Sequence, residues 1–424
     1  MATIFGILLL VLGILVSIGL HEVGHMVPAK KFGVRVSQYM IGFGPTLWSK
    51  VRGETEYGIK AIPLGGYVRL IGMYPTHEAV NAPEAGPSAP ALQRMMSDAR
   101  TESASEIRPG EDHRAFYRLK TWQKLLVMLG GPFMNLILAF VLFAISFAGI
   151  GTMTQTTTVA SVSQCVPISE ETLDGSCVAE SVAAPAAEAG IAVGEKIVAI
   201  AGEELDSWIE LTEVVAARPG ETVDVVVRSG ETERTITVTL GARELADGTQ
   251  GGYLGVGSAW EMQRMGVLEV PGLLWETTAA TLGVIVKLPV ELWNVAGDLF
   301  RNEPRDVSSV ISIIGVGQVA GGITSVEFEG YGFAARTADF LNLLAALNIA
   351  LFAFNLIPLV PLDGGHVVGA LWEGGRRKLA RVRGKQDPGP SDTAKMVPVA
   401  YVVFFLLLGM GLLLMTADVL RPVF

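Results

Sequence analysis

Two histidines and a glutamate stand close together near the start of the chain, in the sequence His21-Glu22-Val23-Gly24-His25. On a helix, the two histidines lie four positions apart and project from one face, as paired imidazole ligands of a zinc ion do. Glu22 lies beside them, where it can take a proton from a water that the metal activates. The spacing therefore predicts a metal-dependent hydrolytic site, with His21 and His25 as ligands and Glu22 as general base.

The residues before this motif are long and apolar enough to cross a membrane. Residues 4–20 contain no charged side chain, and their length approaches the roughly 20 apolar residues that span a bilayer. Ionisable groups at the inner end of a span are costly unless they bind something. A signal peptide is not favoured, because nothing basic precedes the run and no small-residue cleavage site follows it before His21.

A carboxylate in a similar setting supplies a third candidate ligand. Asp363 follows another apolar segment and precedes two helix-breaking glycines, a placement that metal coordination would explain. Two histidines and one carboxylate leave the fourth tetrahedral position for water, as in catalytic zinc sites. The sequence thus predicts one Zn²⁺ per chain, bound by His21, His25 and Asp363.

Composition and charge indicate a polytopic membrane protein with a polar external part. Half of the 424 residues are hydrophobic, too many for an ordinary soluble protein, and the net charge of −10 gives no indication of nucleic-acid binding. Four transmembrane helices are predicted, at residues 4–20, 125–150, 340–362 and 396–416. Lys and Arg concentrate in residues 26–124 and 367–395, which the positive-inside rule places in the cytoplasm. Both termini and residues 151–335 are then external.

A fifth apolar segment, residues 273–293, is predicted to be an interfacial helix. It contains Glu276, Lys287 and Glu291, and Pro289 lies near its end. With four spans Asp363 and His25 reach the same depth in the membrane, whereas a fifth span would separate them.

The two motifs together carry a family resemblance. HEVGH in the first span and residues 355–366 (NLIPLVPLDGGH) resemble the site-2 protease family of intramembrane zinc metalloproteases, in its bacterial form with an external PDZ domain. The resemblance implies that His21, His25 and Asp363 bind zinc and that Glu22 is the general base. His366 is not expected to be a ligand.

Further segments are similar to elements of this family that contact the substrate. Residues 130–135 (GGPFMN) resemble its GPxxN element, so Asn135 is a candidate for binding the substrate backbone or the oxyanion. Asn348 and Asn355 resemble polar positions that face the cleavage site; hydrogen bonds between helices are the alternative for all three. Residues 41–45 and 57–70 resemble the family's re-entrant β-hairpin, with a turn at Gly65 and Gly66. A purely structural hairpin is the alternative.

The external part is predicted to contain a disulfide and a small α+β domain. Cys165 and Cys177, the only cysteines, favour a disulfide outside the cytoplasm. Residues 183–258 resemble a PDZ domain, with a helix near 207–217 and a hairpin turning at Ser229 and Gly230. Its expected role is to bind a peptide or to exclude bulky substrates, and a spacer is the alternative.

The predicted fold is therefore a polytopic α-helical membrane protein with four transmembrane helices, a re-entrant β-hairpin and an extracytoplasmic PDZ-like α+β domain. Its predicted segments are 1–75 (first transmembrane helix and hairpin), 76–112 (flexible cytoplasmic linker), 113–150 (second transmembrane helix), 151–182 (external loop with the cysteines), 183–258 (PDZ-like domain), 259–335 (external or interfacial amphipathic region), 336–366 (third transmembrane helix), 367–395 (basic cytoplasmic loop) and 396–424 (fourth transmembrane helix and C terminus).

The resemblance implies a protease of the bacterial cytoplasmic membrane that cleaves transmembrane segments of single-span proteins. Its expected substrates are of the anti-sigma-factor type, cut after an earlier external cleavage in stress signalling, with remnant signal peptides as a further class. The expected partners are the substrate, the lipid bilayer and a peptide ligand of the PDZ-like domain. Two alternatives remain: a non-catalytic PDZ membrane adaptor, and a membrane zinc peptidase that acts on non-transmembrane chains. The intact His21, Glu22, His25 and Asp363 argue against the first.

Overall fold

The computed structural model describes residues 2–166, 182–244, 249–301, 305–306, 309–326 and 330–423. They form two compact units. The helical unit comprises Met1–Ile150, Met265–Glu327 and Arg336–Phe424, and the sheet unit comprises Gly151–Arg264 and Phe328–Ala335. In chain order the elements are α1 (Ala2–Lys31), β1 (Val36–Arg52), β2 (Thr55–Leu70), α2 (Ala91–Ser105), α3 (Thr121–Phe143), β3 (Thr152–Val162), α4 (Pro185–Glu188), β4 (Lys196–Ile200), β5 (Glu203–Glu204), α5 (Trp208–Ala216), β6 (Thr222–Ser229), β7 (Thr232–Thr239), β8 (Gly241–Glu244), β9 (Gln250–Tyr253), β10 (Val256–Gln263), α6 (Val270–Arg301), α7 (Ile313–Ser325), α8 (Phe333–Asn355), α9 (Asp363–Val382) and α10 (Val397–Leu420).

Small residues bring α1 and α3 into close contact. A Cβ atom on Gly24 would lie 2.2 Å from the carbonyl oxygen of Gly130, and one on Gly130 would lie 2.0 Å from that of Gly24. His21 of α1 contacts Asn135 of α3, so the two helices run antiparallel. Small residues at such contacts are typical of packed membrane helices, because they allow the two backbones to approach closely.

The helix α8 runs parallel to α1. The Leu344 side chain packs on Gly13, and one turn further along both helices Asn348 donates a 2.9 Å hydrogen bond to Ser17. The parallel direction brings the C-terminal end of α8 to the same end of the helical unit as the HEVGH motif. Asp363, a few residues beyond α8, therefore reaches the histidines.

The helix α7 packs against the start of α1 and against the end of α10. A Cβ atom on Gly6 of α1 would lie 2.5 Å from the carbonyl oxygen of Ala320 on α7. The carboxylate of Asp418, near the end of α10, accepts hydrogen bonds from the backbone amides of Ser312 (2.6 Å) and Gly315 (3.1 Å). The ends of α3 and α10 therefore lie on the side of the unit where α1 begins.

Five helices among the described residues are long and apolar enough to cross a membrane, and four were predicted as spans. The additional one is α6, which contains the segment predicted to be interfacial. Near its start Val270 packs in a buried cluster with Phe143 of α3, and near its end Val295 packs against Leu414 and Ala417 of α10. The start of α6 therefore contacts the C-terminal part of α3, and its end contacts the C-terminal part of α10. Both contacts lie on one side of the helical unit.

The strands β1 and β2 form an irregular sheet that departs from the predicted hairpin. The chain reverses at Gly53 (φ +64°), and Gly65 lies inside β2 with φ +108°. Tyr39 of β1 pairs with Tyr57 and also with Val68, because both strands bend back on themselves. The predicted turn at Gly65 and Gly66 is therefore wrong: these glycines supply a bend within a strand, and the tight turn lies elsewhere.

The segment 76–112, predicted to be a flexible linker, is ordered and contains α2. Arg100, only 5% exposed, donates two hydrogen bonds to the carboxylate of Asp392, at 3.1 and 2.7 Å. Ser103 donates to the carbonyl of Tyr74 and accepts from its amide. The prediction is wrong because polar side chains of this segment form buried hydrogen bonds with other parts of the chain instead of being solvated by water.

Residues 367–382, predicted to be part of a basic loop, continue the helix α9. The chain is interrupted before Asp363 instead of after it, within residues 356–362. Gly364 and Gly365 lie in the first turn of α9, where Cβ atoms would lie 2.3 and 2.4 Å from backbone atoms of the preceding segment. The two glycines therefore allow a close backbone approach and do not end a helix.

The sheet unit contains an antiparallel sheet in the order β10-β3-β4-β6-β7, with β5 beside β4. Its core consists of aliphatic side chains such as Ile197, Ile200, Val225 and Leu211. The predicted helix and hairpin correspond to α5, β6 and β7, and are confirmed. Residues 152–162, predicted to be loop, form β3, which extends the sheet beyond the predicted domain. Cys165 is disulfide-bonded, whereas Cys177 lies outside the described residues.

Candidate active site

The three predicted ligands converge at one point. The Nε2 atoms of His21 and His25 lie 3.1 Å apart, and each lies 3.4 Å from Oδ2 of Asp363. The two histidines are one turn apart on α1, and Asp363 opens α9. They are the only group of three such ligands within the described part of the chain.

The unpaired atoms of this cluster fit a metal ion. Asp363 Oδ2 is buried and has no hydrogen-bond partner among the described residues, although it faces two imidazole nitrogens. A cation bound to these atoms would compensate a carboxylate oxygen that otherwise lacks a donor. Two imidazoles and one carboxylate form a ligand set typical of catalytic zinc.

A backbone carbonyl orients His25. Its Nδ1 lies 2.7 Å from the carbonyl oxygen of Val127 on α3, so Nδ1 carries the proton and donates it. The Nε2 atom is then left with a free lone pair directed at the cluster. Such an outer hydrogen bond fixes the tautomer and the ring orientation of a metal-binding histidine.

Asn135 takes the corresponding position beside His21. It is completely buried, and its side-chain amide lies 3.1 Å from His21 Nδ1. Its Oδ1 atom has no partner among the described residues. Because the oxygen and nitrogen of an amide exchange places by a half-turn, one orientation gives both groups a partner: His21 Nδ1 donates to Asn135 Oδ1, and His21 Nε2 faces the metal position.

Glu22 lies between the metal cluster and β2. Its side chain is mostly buried, with 9% exposed. A Cβ atom on Gly66 would lie 3.4 Å from Cγ of Glu22 and 2.9 Å from the side chain of Ile18. The absence of a side chain at Gly66 therefore lets β2 approach the carboxylate closely.

A cavity of about 800 Å³ opens at this cluster. Glu22 and the three candidate ligands line it together with several residues that the sequence also indicated: Gly65, Gly66, Asn135, Asn355 and His366. Part of its wall comes from Ala99, Glu102 and Ser103 of α2 and from Glu106, which follows the helix. These four residues were not predicted to line the site, because their segment was predicted to be flexible.

Asn348 packs between two helices, and its position does not support the predicted contact with the substrate. It is fully buried and does not line the cavity. Its Nδ2 atom donates to the Ser17 hydroxyl at 2.9 Å and to the carbonyl of Leu344 at 2.8 Å. It therefore links α8 to α1 by a hydrogen bond between helices, which was the alternative role considered for this residue.

A buried ion pair holds α9, and with it Asp363, against α3. Lys124 Nζ lies 2.8 and 2.9 Å from the carboxylate oxygens of Glu373, and the two side chains are 6% and 2% exposed. This ion pair was not predicted from the sequence. A single acidic residue in a basic, helix-forming stretch was the signal that could have indicated it.

Comparisons with known proteins agree with this geometry. The profile of peptidase family M50 matches residues 9–387. The chain is 32% identical to the zinc metalloprotease Rip1 of Mycobacterium tuberculosis, across all of this chain and 99% of that protein. It is 30% identical to the metalloprotease MmpA of Caulobacter vibrioides, over 86% of this chain and 85% of that one. It is also 27% identical to the zinc metalloprotease RasP of Shouchella clausii, over 86% of this chain and 89% of that one.

Proposed function

The chain belongs to peptidase family M50, the site-2 protease family of zinc metalloproteases, and we propose that it cleaves peptide bonds within transmembrane segments of single-span membrane proteins. One observation carries this proposal: His21, Glu22 and His25 lie on α1, a helix long and apolar enough to cross a membrane, and Asp363 meets them from the segment just beyond α8, another such helix. The substrates we propose are of the anti-sigma-factor type, cut after an earlier external cleavage, with remnant signal peptides as a further class.

We propose a topology in which α1, α3, α8 and α10 span the bacterial cytoplasmic membrane. The termini and the sheet unit are external, because Lys and Arg concentrate in the segments that join α1 to α3 and α8 to α10. The helix α6 lies along the external side. Its contacts with Phe143 at one end and with Leu414 and Ala417 at the other support this placement, since a spanning helix would reach the opposite side.

The edge of β2 is the proposed binding site for the unwound substrate. A transmembrane helix hides its amides in internal hydrogen bonds, so hydrolysis requires local unwinding, and an exposed strand edge can pair with the unwound segment. Residues 66–70 pair with β1 along one side, and Gly65 to Leu70 line the cavity beside Glu22. The unwound segment would extend this sheet and pass in front of the ligand cluster.

The chain's own residues then divide the catalytic work. Zinc, one ion per chain, supplies a Lewis acid and a nucleophilic water at neutral pH. Glu22 takes a proton from the attacking water and returns it to the leaving amine. Val127 and Asn135 hold His25 and His21 in the tautomer that frees Nε2. Asn355 lines the cavity, and we assign to it the contact with the substrate backbone.

The sheet unit is proposed to act as the PDZ-like domain. Its antiparallel sheet and the helix α5 are compatible with a groove that binds an extended peptide, or with a sieve that excludes substrates with bulky external domains.

Cleavage of a single-span substrate in lipid nanodiscs tests the proposed function. The full-length protein is compared with Glu22→Gln and with the control Glu213→Gln, which alters an exposed carboxylate on α5. Loss of the general base is expected to lower the rate by about 100-fold or more, whereas the control keeps the wild-type rate. A zinc chelator abolishes cleavage, and added zinc restores it.

The position of the cut distinguishes the proposal from its alternative. Mass spectrometry of the products is expected to place the cleaved bond within the apolar segment. Full activity of Glu22→Gln would contradict the mechanism. Cleavage only in soluble flanking residues would contradict the proposed substrate class and favour a membrane peptidase of non-transmembrane chains.

A further inference from the structure

The helix α9 exposes a continuous apolar stripe, formed by Val368, Leu371, Trp372, Leu379 and Val382. These residues recur at intervals of three, one, seven and three positions, which places them on one face of a helix. Their exposed fractions are 43, 53, 68, 49 and 76%, so no described part of the protein covers the stripe. Exposed apolar surface of this extent on one helix indicates contact with a further apolar phase.

The packing of the opposite face fixes the rotation of α9. Ala370 and Glu373 are buried, and Glu373 is paired with Lys124 of α3. A Cβ atom on Gly374 would lie 2.8 Å from the side chain of Thr121 at the start of α3. The helix therefore cannot turn its stripe inward without breaking a buried ion pair.

Cations border the stripe. Lys378 follows Leu371 by seven positions on one side, and Arg383 caps the helix on the other side. Both are exposed, and neither has an ion-pair partner in the described portion of the chain. Two neighbouring cations are engaged instead: Arg376 donates to the carbonyls of residues 388–390, and Arg377 contacts Glu373. Lys378 and Arg383 are thus the unpaired cations that border the stripe, where they can bind an external anion.

The position of α9 in the helical unit indicates which environment contacts the apolar stripe. It starts a few residues after α8, a candidate span, and packs against the N-terminal end of α3, another candidate span. Trp122, next to Thr121, is 52% exposed at this level, as Trp372 is on α9. Exposed tryptophans are typical of the boundary between a bilayer and water.

We propose that α9 lies in the membrane surface, with its stripe inserted among lipid chains and with Lys378 and Arg383 bound to anionic phospholipid headgroups. The inference rests on the proposed topology and not on catalysis. An amphipathic helix binds such a surface through its apolar area and through attraction of its cations to anionic lipid. Because Asp363 opens α9, the same contacts hold the helix of the third ligand against the membrane.

Probe depth in lipid tests the insertion of the stripe. A fluorescent label is attached to the full-length protein at Val382→Cys, at Leu406→Cys on α10 or at Ile209→Cys on α5, and each protein is reconstituted with lipids brominated on their chains. Quenching is expected at positions 382 and 406 and not at 209. Quenching at 406 alone would overturn the proposal, and quenching at neither position would instead contradict the topology on which it rests.

Lipid selectivity tests the role of the cations. Binding of phosphatidylglycerol to the purified protein is measured by native mass spectrometry for Lys378→Gln, for Arg383→Gln and for the matched control Arg381→Gln. Arg381 is exposed but follows Trp372 by nine positions, on the opposite side of the helix. Each flanking variant is expected to bind phosphatidylglycerol about fivefold more weakly, and the control to bind it unchanged. Equal losses in all three variants, or no loss in any, would overturn the headgroup assignment.

Discussion

The helical unit and the sheet unit differ in the polar side chains that they bury and in the apolar side chains that they expose. The core of the sheet unit consists of aliphatic residues such as Ile197, Ile200 and Val225. The helical unit buries apolar clusters too, but it also buries charged and amide side chains, including Lys124, Asn348 and Glu373, while large apolar side chains cover the outside of α10. The difference follows from the solvents: water drives apolar residues inward, whereas lipid is as apolar as leucine and gives no such force.

Different interactions therefore stabilise the fold of each unit. In the sheet unit the stabilisation comes from burial of apolar area. In the helical unit it comes from close contacts between small residues, such as Gly24 and Gly130, and from hydrogen bonds such as that between Asn348 and Ser17. The catalytic cluster depends on the second kind of interaction, because Val127 and Asn135 orient both histidines through α3.

The largest effect is expected at the buried ion pair of the helical unit. Glu373→Leu leaves the Lys124 ammonium buried without its partner, which is expected to cost about 3–5 kcal/mol in the free energy of unfolding. Because α9 carries Asp363, zinc retention should fall as well. Thermal unfolding in nanodiscs and competition with a zinc chelator measure the two effects.

A double variant checks the cause of that loss. Lys124→Met combined with Glu373→Leu removes both charges and fills the space with apolar side chains, so most of the stability is expected to return. If the double variant were as unstable as Glu373→Leu alone, the unpaired charge would not be the cause.

Two equally exposed positions provide the most direct comparison of the units. Leu406 on α10 and Ile209 on α5 are each 67% exposed. Leu406→Arg is expected to disfavour membrane integration by about 2.5–3.5 kcal/mol, because the charge would lie in lipid. Ile209→Arg is expected to change stability by less than about 0.5 kcal/mol, because water solvates it. Carbonate-resistant membrane integration of the full-length chain measures the first effect, and amide exchange in α5 the second. Equal effects would contradict the assignment of two solvents.

A smaller loss is expected from shortening a buried side chain in the sheet unit. Ile200→Val removes one methylene from a fully buried position and is expected to cost about 0.5–1.5 kcal/mol. The counterpart Val402→Ala on α10, 61% exposed, should cost less, because lipid fills the space. Amide exchange in β4 and thermal unfolding of the helical unit report the two losses. A larger loss at Val402 would indicate that α10 packs against protein there.

The smallest effect is expected at an ion pair of the sheet unit. A hydrogen bond from Arg234 holds the pKa of Glu195 below its usual value, so the pair stabilises the folded state above the unfolded pKa of Glu195. That contribution disappears as the pH falls through the lower, folded pKa. Arg234→Gln is expected to cost less than about 1 kcal/mol at neutral pH and to flatten the acid limb of the unfolding curve. An unchanged acid limb would contradict the linkage.

Local sequence was sufficient for parts of the fold with regular patterns. The HEVGH spacing on a helix, the apolar spans and the hairpin of β6 and β7 are all evident from periodicity and turn residues. The order of residues 76–112 was not evident, because Arg100 is satisfied by Asp392, almost 300 residues away. The helix α9 was missed because its glycines, which usually end a helix, here permit a close backbone contact.

The sequence by itself determined the class of chemistry of this protein, since residue type and helical spacing identify two imidazoles, a candidate general base and a carboxylate without reference to the rest of the chain. Only the tertiary structure decided which neighbours serve that chemistry. In the folded chain Asn135 lies beside His21 and orients it. Asn348 forms a hydrogen bond between two helices, and residues of α2 line the cavity. The physical reason is that a side chain's hydrogen-bonding capacity is local, whereas the partner that satisfies it is set by the packing of distant segments.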